Sequence, residues 1–547
     1  MQFVRNLVLL VSAFIAYRAF FMPKLHLLEN QRDRIEIAFL QSWRDYLAHG
    51  WDADVYQPLS KKISSLHRLS TKPLGWIIVD SLDTMLMMHN SSLRHQEEFK
   101  TEIARVENWV DTKLDYDIDV SVSLFETTIR MLGGLLSAYH LSKELHLGNS
   151  TVYLEKATDL ADRLLPAFEN TNTGIPYSSV NLHTGKSRKN HVDRGASSTA
   201  EFTTLQLEFK YLSAITGNAT YWKAVEKVYK PLYETNDLIG KYKGLAPIFV
   251  DADTAKFRGN NIRLGSRGDS FYEYLLKQYL QTGEQLYYQL YRESMEGVKR
   301  HLISRSSPNG LFYIGERLRG IYSNFSPKMD HLVCFMGGLL AMGATEGWHI
   351  DDARKQDFWD AKREEDWTLA QELTYTCYQM YHQVPSGLSP EIVVFNDPLV
   401  RTAYTNSWWQ SQEGDFYVKP ADAHNLQRPE TVESLMFLYH LTKDSKYRDW
   451  GWEIFRAFEK HSGVKCRPAD EKCPYTCLKD VLADPPVRSD SLESFWLAET
   501  LKYLHLLFQD DVDLKNLVFN TEGHPFPIIT PEQTEIGDLL YTGWSLS

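Results

Sequence analysis

Seven segments of the chain share one pattern, in which an acidic residue precedes an apolar run with helical periodicity. Phe125-Glu-Thr-Thr-Ile-Arg-Met-Leu and Gly268-Asp-Ser-Phe-Tyr-Glu-Tyr-Leu-Leu are two of them. Runs that are apolar nearly all round predict buried inner helices, whereas residues 153–168 and 221–233 carry a charged face and predict outer helices. The leading carboxylates belong to Asp83, Glu126, Glu201, Asp269, Asp330, Glu430 and Glu493.

The spacing of these carboxylates predicts one helical hairpin per segment. Most neighbours are some 40 to 75 residues apart, and one gap of 100 residues separates Asp330 from Glu430. Repeated hairpins with buried inner and amphipathic outer helices predict an all-α, closed toroid whose inner helices begin at one mouth. An open solenoid is the alternative, but the unequal repeat lengths favour closure. The absence of a linker rich in Ser, Gly or Pro predicts one continuous domain over residues 32–547.

Carboxylates that converge on one mouth would repel one another unless a sugar, a cation or bound protons occupied the space between them. A binding or catalytic site at the mouth is the functional interpretation. The alternative for each residue is that it caps its own helix or interacts with the helix dipole. Seven such residues together favour the functional interpretation.

The N-terminus predicts attachment to a membrane. Residues 6–22 are mostly apolar and uncharged except for Arg18, and no small-x-small cleavage site follows them, which favours an uncleaved signal-anchor over a signal peptide. We therefore divide the chain into a cytosolic tail (1–5), a transmembrane anchor (6–22), a short stem (23–31) and the domain at 32–547.

Four Asn-x-Ser/Thr tripeptides and five cysteines are compatible with a luminal domain. With an odd number of cysteines, at least one thiol stays free or pairs outside the chain, and the spacing of Cys466, Cys473 and Cys477 is poor for zinc. The net charge of −12, without a basic cluster, argues against a nucleic-acid partner. The predicted N-glycosylation sites are Asn90, Asn149, Asn218 and Asn324.

Five segments resemble the signature segments of the class I α-1,2-mannosidases, glycoside hydrolase family 47. They are Phe125-Glu-Thr-Thr-Ile-Arg-Met-Leu-Gly-Gly, Gly265-Ser-Arg-Gly-Asp-Ser, Lys328-Met-Asp-His-Leu-Val-Cys-Phe, Leu426-Gln-Arg-Pro-Glu-Thr-Val-Glu-Ser and Glu493-Ser-Phe-Trp-Leu-Ala-Glu. The resemblance extends from about residue 32 to the end of the chain. It implies an (α/α)7 barrel, which agrees with the seven repeats.

The resemblance also assigns site residues. It implies Glu126 as general acid, Glu430 as general base and Asp269 as a third essential carboxylate of an inverting reaction, and it leaves open whether the proton is donated directly or through water. Thr521, in Phe519-Asn-Thr-Glu-Gly-His-Pro, would bind Ca²⁺, and Cys334 would pair with Cys377. The residues expected to bind substrate or to orient the carboxylates are Arg130, Arg267, His331, Glu391, Arg428, Glu433, Glu493, Phe495 and Glu499. Phe495 would stack on the sugar, while His331 could instead be structural.

The function that the resemblance implies is removal of terminal mannose from high-mannose N-glycans at the endoplasmic reticulum membrane, by a type II protein with a luminal catalytic domain. Arg267 resembles the endoplasmic-reticulum type of the family and predicts a single eight-mannose product from the nine-mannose glycan. A non-catalytic glycan-binding protein of the same fold, acting in glycoprotein degradation, is the main alternative. A toroidal glycosidase with another sugar specificity is a more distant one.

Overall fold

The computed structural model describes residues 22–66, 72–400, 413–464, 470, 472–530, 534 and 544. Most of these residues are helical. The described residues contain fourteen principal helices: α1 Met22–His49, α2 Leu82–Ser91, α3 Gln96–Thr112, α4 Gly133–Leu145, α5 Ser150–Leu164, α6 Gln206–Thr216, α7 Ala219–Glu226, α8 Asp269–Thr282, α9 Gln285–His301, α10 Phe335–Thr345, α11 Ala361–His382, α12 Glu430–Thr442, α13 Ser445–His461 and α14 Leu501–Leu507.

Shorter helical segments lie between the principal helices. The α-helical ones are Trp76–Asp80, Leu124–Glu126, Pro166–Glu169, Thr199–Phe202, Lys230–Glu234 and Ile350–Ala353. π-Helical segments are Thr127–Leu132, Asp237–Lys241 and Trp496–Thr500, and 3-10 segments are His331–Cys334 and Pro420–Asp422.

The even-numbered helices form a closed inner ring. Each packs against the next from α2 to α14, and the π-helical segment that leads into α14 packs back against α2. The odd-numbered helices form an outer layer, one beside each inner helix. The sequence explains the two layers, because every residue of α10 is buried, whereas α9 buries one face and exposes charged residues on the other. Within the described residues, the closed toroid of seven hairpins is therefore confirmed.

The last hairpin is formed by the two ends of the chain. Helix α1 is the outer partner of α14, and Trp496 Nε1 donates a hydrogen bond to Ser42 Oγ at 3.1 Å. Because α1 runs without a break from Met22, the boundary that the sequence analysis placed at residue 32 falls inside a helix. The predicted anchor lies, except for Met22, outside the described residues. None of the helices that the structure describes is both long and apolar enough to cross a membrane.

Short antiparallel strands connect the helices on the rim of the ring. The pairs are β1 Val55–Gln57 with β2 Lys62–Ser64, β9 Ile303–Arg305 with β10 Phe312–Ile314, β11 Glu316–Arg317 with β12 Phe325–Ser326, and β16 Leu478–Asp480 with β17 Val487–Arg488. Three-stranded sheets are β3 Ser121–Ser123, β4 Ser179–Asn181 and β5 Ser187–Arg188; β6 Ser197–Ser198, β7 Phe249–Asp251 and β8 Lys256–Phe257; and β13 Lys328–Asp330, β14 Ile392–Phe395 and β15 Phe416–Tyr417.

A last hairpin, β18 Leu517–Phe519 with β19 Pro525–Pro527, lies inside the ring. Its turn residue Asn520 donates hydrogen bonds to the Ile129 carbonyl at 2.9 Å and to Glu208 Oε1 at 2.8 Å. Gly133 makes this approach possible, because a Cβ there would lie 2.7 Å from Asn520 Nδ2. The hairpin therefore closes the centre of the ring and carries Thr521 to the level of the predicted site.

The predicted disulfide between Cys334 and Cys377 is confirmed. It joins the start of α10 to α11, with Cα atoms 5.8 Å apart. Cys473 is also disulfide-bonded, while Cys477 is a buried free thiol. The four asparagines of the Asn-x-Ser/Thr tripeptides are exposed, and two of them, Asn149 and Asn218, cap α5 and α7. Their glycosylation stays a prediction.

Candidate active site

A cavity of about 390 Å³ opens at the end of the ring where α8 and α12 begin. We call this opening the mouth. Its size is in the range of small-molecule sites. Its wall is unusually acidic, with carboxylates from Glu126, Glu201, Asp269, Glu273, Glu430, Glu433, Glu499 and Glu522.

The predicted convergence of the leading carboxylates is only partly present. Four of the seven line the cavity: Glu126, Glu201, Asp269 and Glu430. The others do not. Asp83 is fully buried and accepts hydrogen bonds from Lys502 and His524, each at 2.8 Å. Asp330 ends strand β13 and is buried 2.7 Å from Lys328 Nζ. Glu493 is half-buried beside the cavity.

Glu126 lies where the backbone changes from α-helical to π-helical geometry. The short helix Leu124–Glu126 begins at Ser123, whose hydroxyl accepts a hydrogen bond from the Glu126 amide at 3.3 Å. The π-helical turn Thr127–Leu132 follows and brings Arg130 Nε to 2.9 Å from Glu126 Oε2. Arg130 also binds the Glu522 carboxylate. Such π-helical turns are frequent at functional sites.

Glu430 is the first residue of α12 and is held as an anion. Its Oε2 lies 2.9 Å from Nδ1 of His331. Burial alone would raise the pKa of Glu430, but the His331 hydrogen bond and the charge of Arg428 hold it below its ordinary value. Arg428 is in turn fixed by Glu391, whose Oε2 is 2.7 Å from Arg428 Nε. Glu391, which was expected at the mouth, and His331 are not among the residues that line the cavity, and they act on it through Arg428 and Glu430.

Asp269 begins α8 and differs electrostatically from Glu430. Burial, together with the charges of nearby carboxylates, raises the pKa of Asp269 to about 7. Its position depends on Gly268, where an added Cβ would lie 2.2 Å from the Arg263 carbonyl oxygen. Burial and neighbouring charges therefore shift the pKa values of these two carboxyl groups in opposite directions.

The part of the cavity wall near Thr521 is rich in carboxyl oxygens. The Thr521 hydroxyl donates to Glu273 Oε2 at 2.7 Å. Burial raises the pKa of Glu433 to about 8, and it raises that of Glu499 well above its ordinary value. Lys277, one helical turn later on α8, forms an ion pair with Glu273. The carboxylates in this part of the wall therefore carry more negative charge than the adjacent cations neutralise, unless they bind protons or a cation.

Phe495 and Arg267 complete the wall. The Arg130 and Arg428 guanidinium carbons lie 5.7 and 5.5 Å from the centroid of the Phe495 ring. Arg267 is paired with Asp193 at 3.0 Å and has a positive φ of 73°. The predicted residues that line the cavity are Glu126, Arg130, Arg267, Asp269, Arg428, Glu430, Glu433, Phe495, Glu499 and Thr521.

Sequence reasoning missed several residues of this site. Glu273 could have been found, because it follows Asp269 by four residues on a helix and must share its face. Glu522 follows Thr521 directly, and Glu201 had been identified only as a leading carboxylate. No sequence pattern near Asp80 or His524 indicates that these two side chains interact. They meet inside the ring, where His524 Nε2 lies 3.1 Å from Asp80 Oδ1 and both side chains are fully buried.

A cavity on which several carboxyl groups converge, with Glu430 held as an anion, can supply the acid and the base that hydrolysis of a glycosidic bond requires. The ring and its site therefore define a glycoside hydrolase. The sequence profile of glycosyl hydrolase family 47 matches residues 38–528. The chain belongs to this family.

Individual relatives agree with this assignment. The chain is 59% identical over 520 residues to the endoplasmic reticulum mannosyl-oligosaccharide 1,2-alpha-mannosidase of Saccharomyces cerevisiae, covering 94% of this chain and 93% of that protein. It is 50% identical to the mannosyl-oligosaccharide 1,2-alpha-mannosidase of Candida albicans, over 94% of this chain and 86% of that protein. A solved alpha-1,2-mannosidase from Trichoderma reesei superposes with a TM-score of 0.78 at 27% identity, covering 91% of this chain and 99% of that one.

Proposed function

We propose that this protein is a mannosyl-oligosaccharide 1,2-α-mannosidase that removes terminal α-1,2-linked mannose from high-mannose N-glycans. The observation that carries the proposal is the convergence of the Glu126, Asp269 and Glu430 carboxyl groups on one cavity, where the pKa of Glu430 is lowered as a base requires. Family membership and the names of the relatives supply the sugar and the linkage.

In the proposed inverting reaction, Glu430 accepts a proton from a water molecule as that water attacks the anomeric carbon of the terminal mannose. The bond from that carbon to the glycosidic oxygen breaks, and the leaving oxygen receives a proton from Glu126, directly or through water. Arg130 orients the Glu126 carboxyl group. Asp269, the third carboxylate, lies on the same wall, and its pKa of about 7 allows it to gain or lose a proton near neutral pH during the reaction.

We further propose that the cavity binds Ca²⁺ through Thr521. Calcium prefers oxygen ligands, and the Thr521 hydroxyl, which donates to Glu273, lines the same cavity as the carboxylates of Glu433, Glu499 and Glu522. Burial, and then the charges of neighbouring carboxylates, raise the pKa values of Glu433, Glu499 and Glu522, and a set of buried carboxyl oxygens of this kind fits a divalent cation. When bound, the ion would hold sugar hydroxyls in place.

The cellular setting of the proposed enzyme follows from the relatives. The Saccharomyces cerevisiae protein is named as an endoplasmic reticulum enzyme, and we place this chain in the same compartment. The disulfide between Cys334 and Cys377 is compatible with an oxidising lumen. A type II anchor over residues 6–22 and glycoprotein glycans as partners complete the proposal.

Incubation with a defined nine-mannose N-glycan tests the proposed function. We expect free mannose to be released, initially with inverted anomeric configuration, because a base-activated water attacks opposite the leaving group. Chromatography of the glycan and proton NMR of the released sugar measure both. Glycan binding without release would instead identify a non-catalytic glycan-binding protein, and release of a different sugar would contradict the specificity.

Replacing Arg267 with Leu should relax branch specificity. Arg267 lines the cavity, and its guanidinium, fixed by Asp193, can make several directed hydrogen bonds to hydroxyls of neighbouring sugars. We expect the unmodified enzyme to accumulate one eight-mannose isomer and Arg267→Leu to produce additional, smaller glycans, with the first cleavage slowed less than about tenfold.

The control for this experiment is Asp193→Asn, which keeps Arg267 but weakens its anchoring. It should give an intermediate product pattern. Rapid trimming to five mannoses by the unmodified enzyme would contradict the specificity assigned to Arg267 while leaving the hydrolytic function intact.

A further inference from the structure

His331 has well-defined partners at both ring nitrogens. Nδ1 lies 2.9 Å from Glu430 Oε2, while Nε2 lies 2.9 Å from Thr431 Oγ1 and 3.1 Å from the Tyr381 hydroxyl. All three partner side chains belong to inner or outer helices, with Tyr381 on α11 and both Glu430 and Thr431 on α12. The backbone amide of His331 donates to the Glu391 carbonyl at 2.8 Å. The ring is therefore held on every polar atom.

These contacts select one form of the imidazole. Nδ1 faces the Glu430 carboxylate, which when ionised can only accept a hydrogen bond, whereas Nε2 faces two hydroxyl groups that can donate to it. Burial and the charges of Glu430 and Glu391 raise the pKa of Tyr381 well above its ordinary value, so its hydroxyl keeps its proton. If Nε2 accepts, Nδ1 must carry the ring proton. Nδ1 then donates to the Glu430 carboxylate.

We propose that Tyr381 and Thr431 are positioning residues that fix His331 as the tautomer with its proton on Nδ1, so that the ring holds Glu430 ready to act as base. The proposal rests on the role of Glu430 in the proposed function. Neither hydroxyl touches the cavity, because Tyr381 and Thr431 are buried behind His331 and are absent from the wall. They would act on the reaction only through the imidazole.

Other charged groups around Glu430 also affect its pKa, but they do so independently of the Tyr381 hydroxyl. Arg428 favours the anion, whereas the carboxylates of Asp269, Glu433 and Glu499 disfavour it. None of them contacts Tyr381 in the hydrogen bonds of the described residues. Loss of the Tyr381 hydroxyl therefore changes the support of His331 and leaves these charges in place.

The test is the pH dependence of kcat/KM for Tyr381→Phe. We expect kcat to fall by about 2- to 10-fold, as for loss of one neutral hydrogen bond, with KM changed less than about twofold. The acidic limb should move to higher pH, because a carboxylate that loses its donor is protonated more easily. Thr431→Val should act in the same direction, and Thr431→Ser, which keeps the hydroxyl, should lose less than Thr431→Val.

Tyr378→Phe is the matched control. Tyr378 lies one turn earlier on α11, but its hydroxyl donates to Glu453 on the outer face, 2.7 Å away. Its profile should match that of the unmodified enzyme. An unshifted acidic limb in both Tyr381→Phe and Thr431→Val would overturn the proposal. Near-normal activity of Glu430→Gln would instead overturn the role of Glu430 itself, so the two failures are distinguishable.

Discussion

Replacing Glu430 with Gln should reduce turnover by about 10²- to 10⁴-fold, because an amide cannot accept the proton of the attacking water. Gln has nearly the same size and shape as Glu, so the substitution preserves the packing around residue 430. The lowered pKa of Glu430 keeps its carboxylate ionised at neutral pH. Steady-state hydrolysis of the nine-mannose glycan measures the loss, and circular dichroism establishes that the fold is retained.

Two comparisons make the Glu430 experiment specific. Glu126→Gln and Asp269→Asn should also cost orders of magnitude, since each removes a proton-transfer or charge-stabilising group. Glu453→Gln on the outer helix α13, far from the cavity wall, should behave as the unmodified enzyme does. Near-normal turnover in any of the three cavity variants would show that the role proposed for that residue is wrong.

Removal of calcium should abolish activity reversibly and also lower stability. A ligand present at about 100 times its dissociation constant stabilises the folded state by about 2.7 kcal/mol, so addition of Ca²⁺ should raise the thermal midpoint of the chelated protein. Activity and calorimetric unfolding, measured before and after calcium is restored, report the two effects independently.

The control for calcium binding is Thr521→Val, which removes the hydroxyl but keeps the volume. It should reduce both the calcium-dependent rise in the midpoint and the activity that calcium restores. Thr184→Val, in an exposed turn, should leave the rise unchanged. Full activity of metal-free protein, or an equal rise in Thr521→Val, would contradict the proposed site.

Much of the fold could be predicted because hydrophobic periodicity is local. Asp269 and Glu430 begin helices as expected, and Gly217 and Gly283 end α6 and α8 in left-handed conformation. The predicted ends of the helices were less accurate than their existence. The outer helix predicted over residues 221–233 is divided after Glu226, and its second part begins with Pro231 in its first turn, where proline is tolerated.

The site was harder to predict than the fold, because residues distant in sequence determine which carboxylates form ion pairs and which line the cavity. Asp83 heads an inner helix as Glu430 does, yet it is neutralised by Lys502 and His524, more than 400 residues later. No local pattern distinguishes a carboxylate that will face a cation from one that will face the cavity. Most cavity residues named from the sequence came from the resemblance to the family, with the repeat as support.

The pairing of α1 with α14 has a consequence for biosynthesis. The outer helix of the final hairpin is translated first, but its inner partner emerges only after almost the whole chain, as the 454-residue separation between Ser42 and Trp496 shows. The apolar face of α1 therefore stays unpacked, either exposed to solvent or bound by a chaperone, while the intervening hairpins form. The ring can therefore close only after α14 has been synthesised.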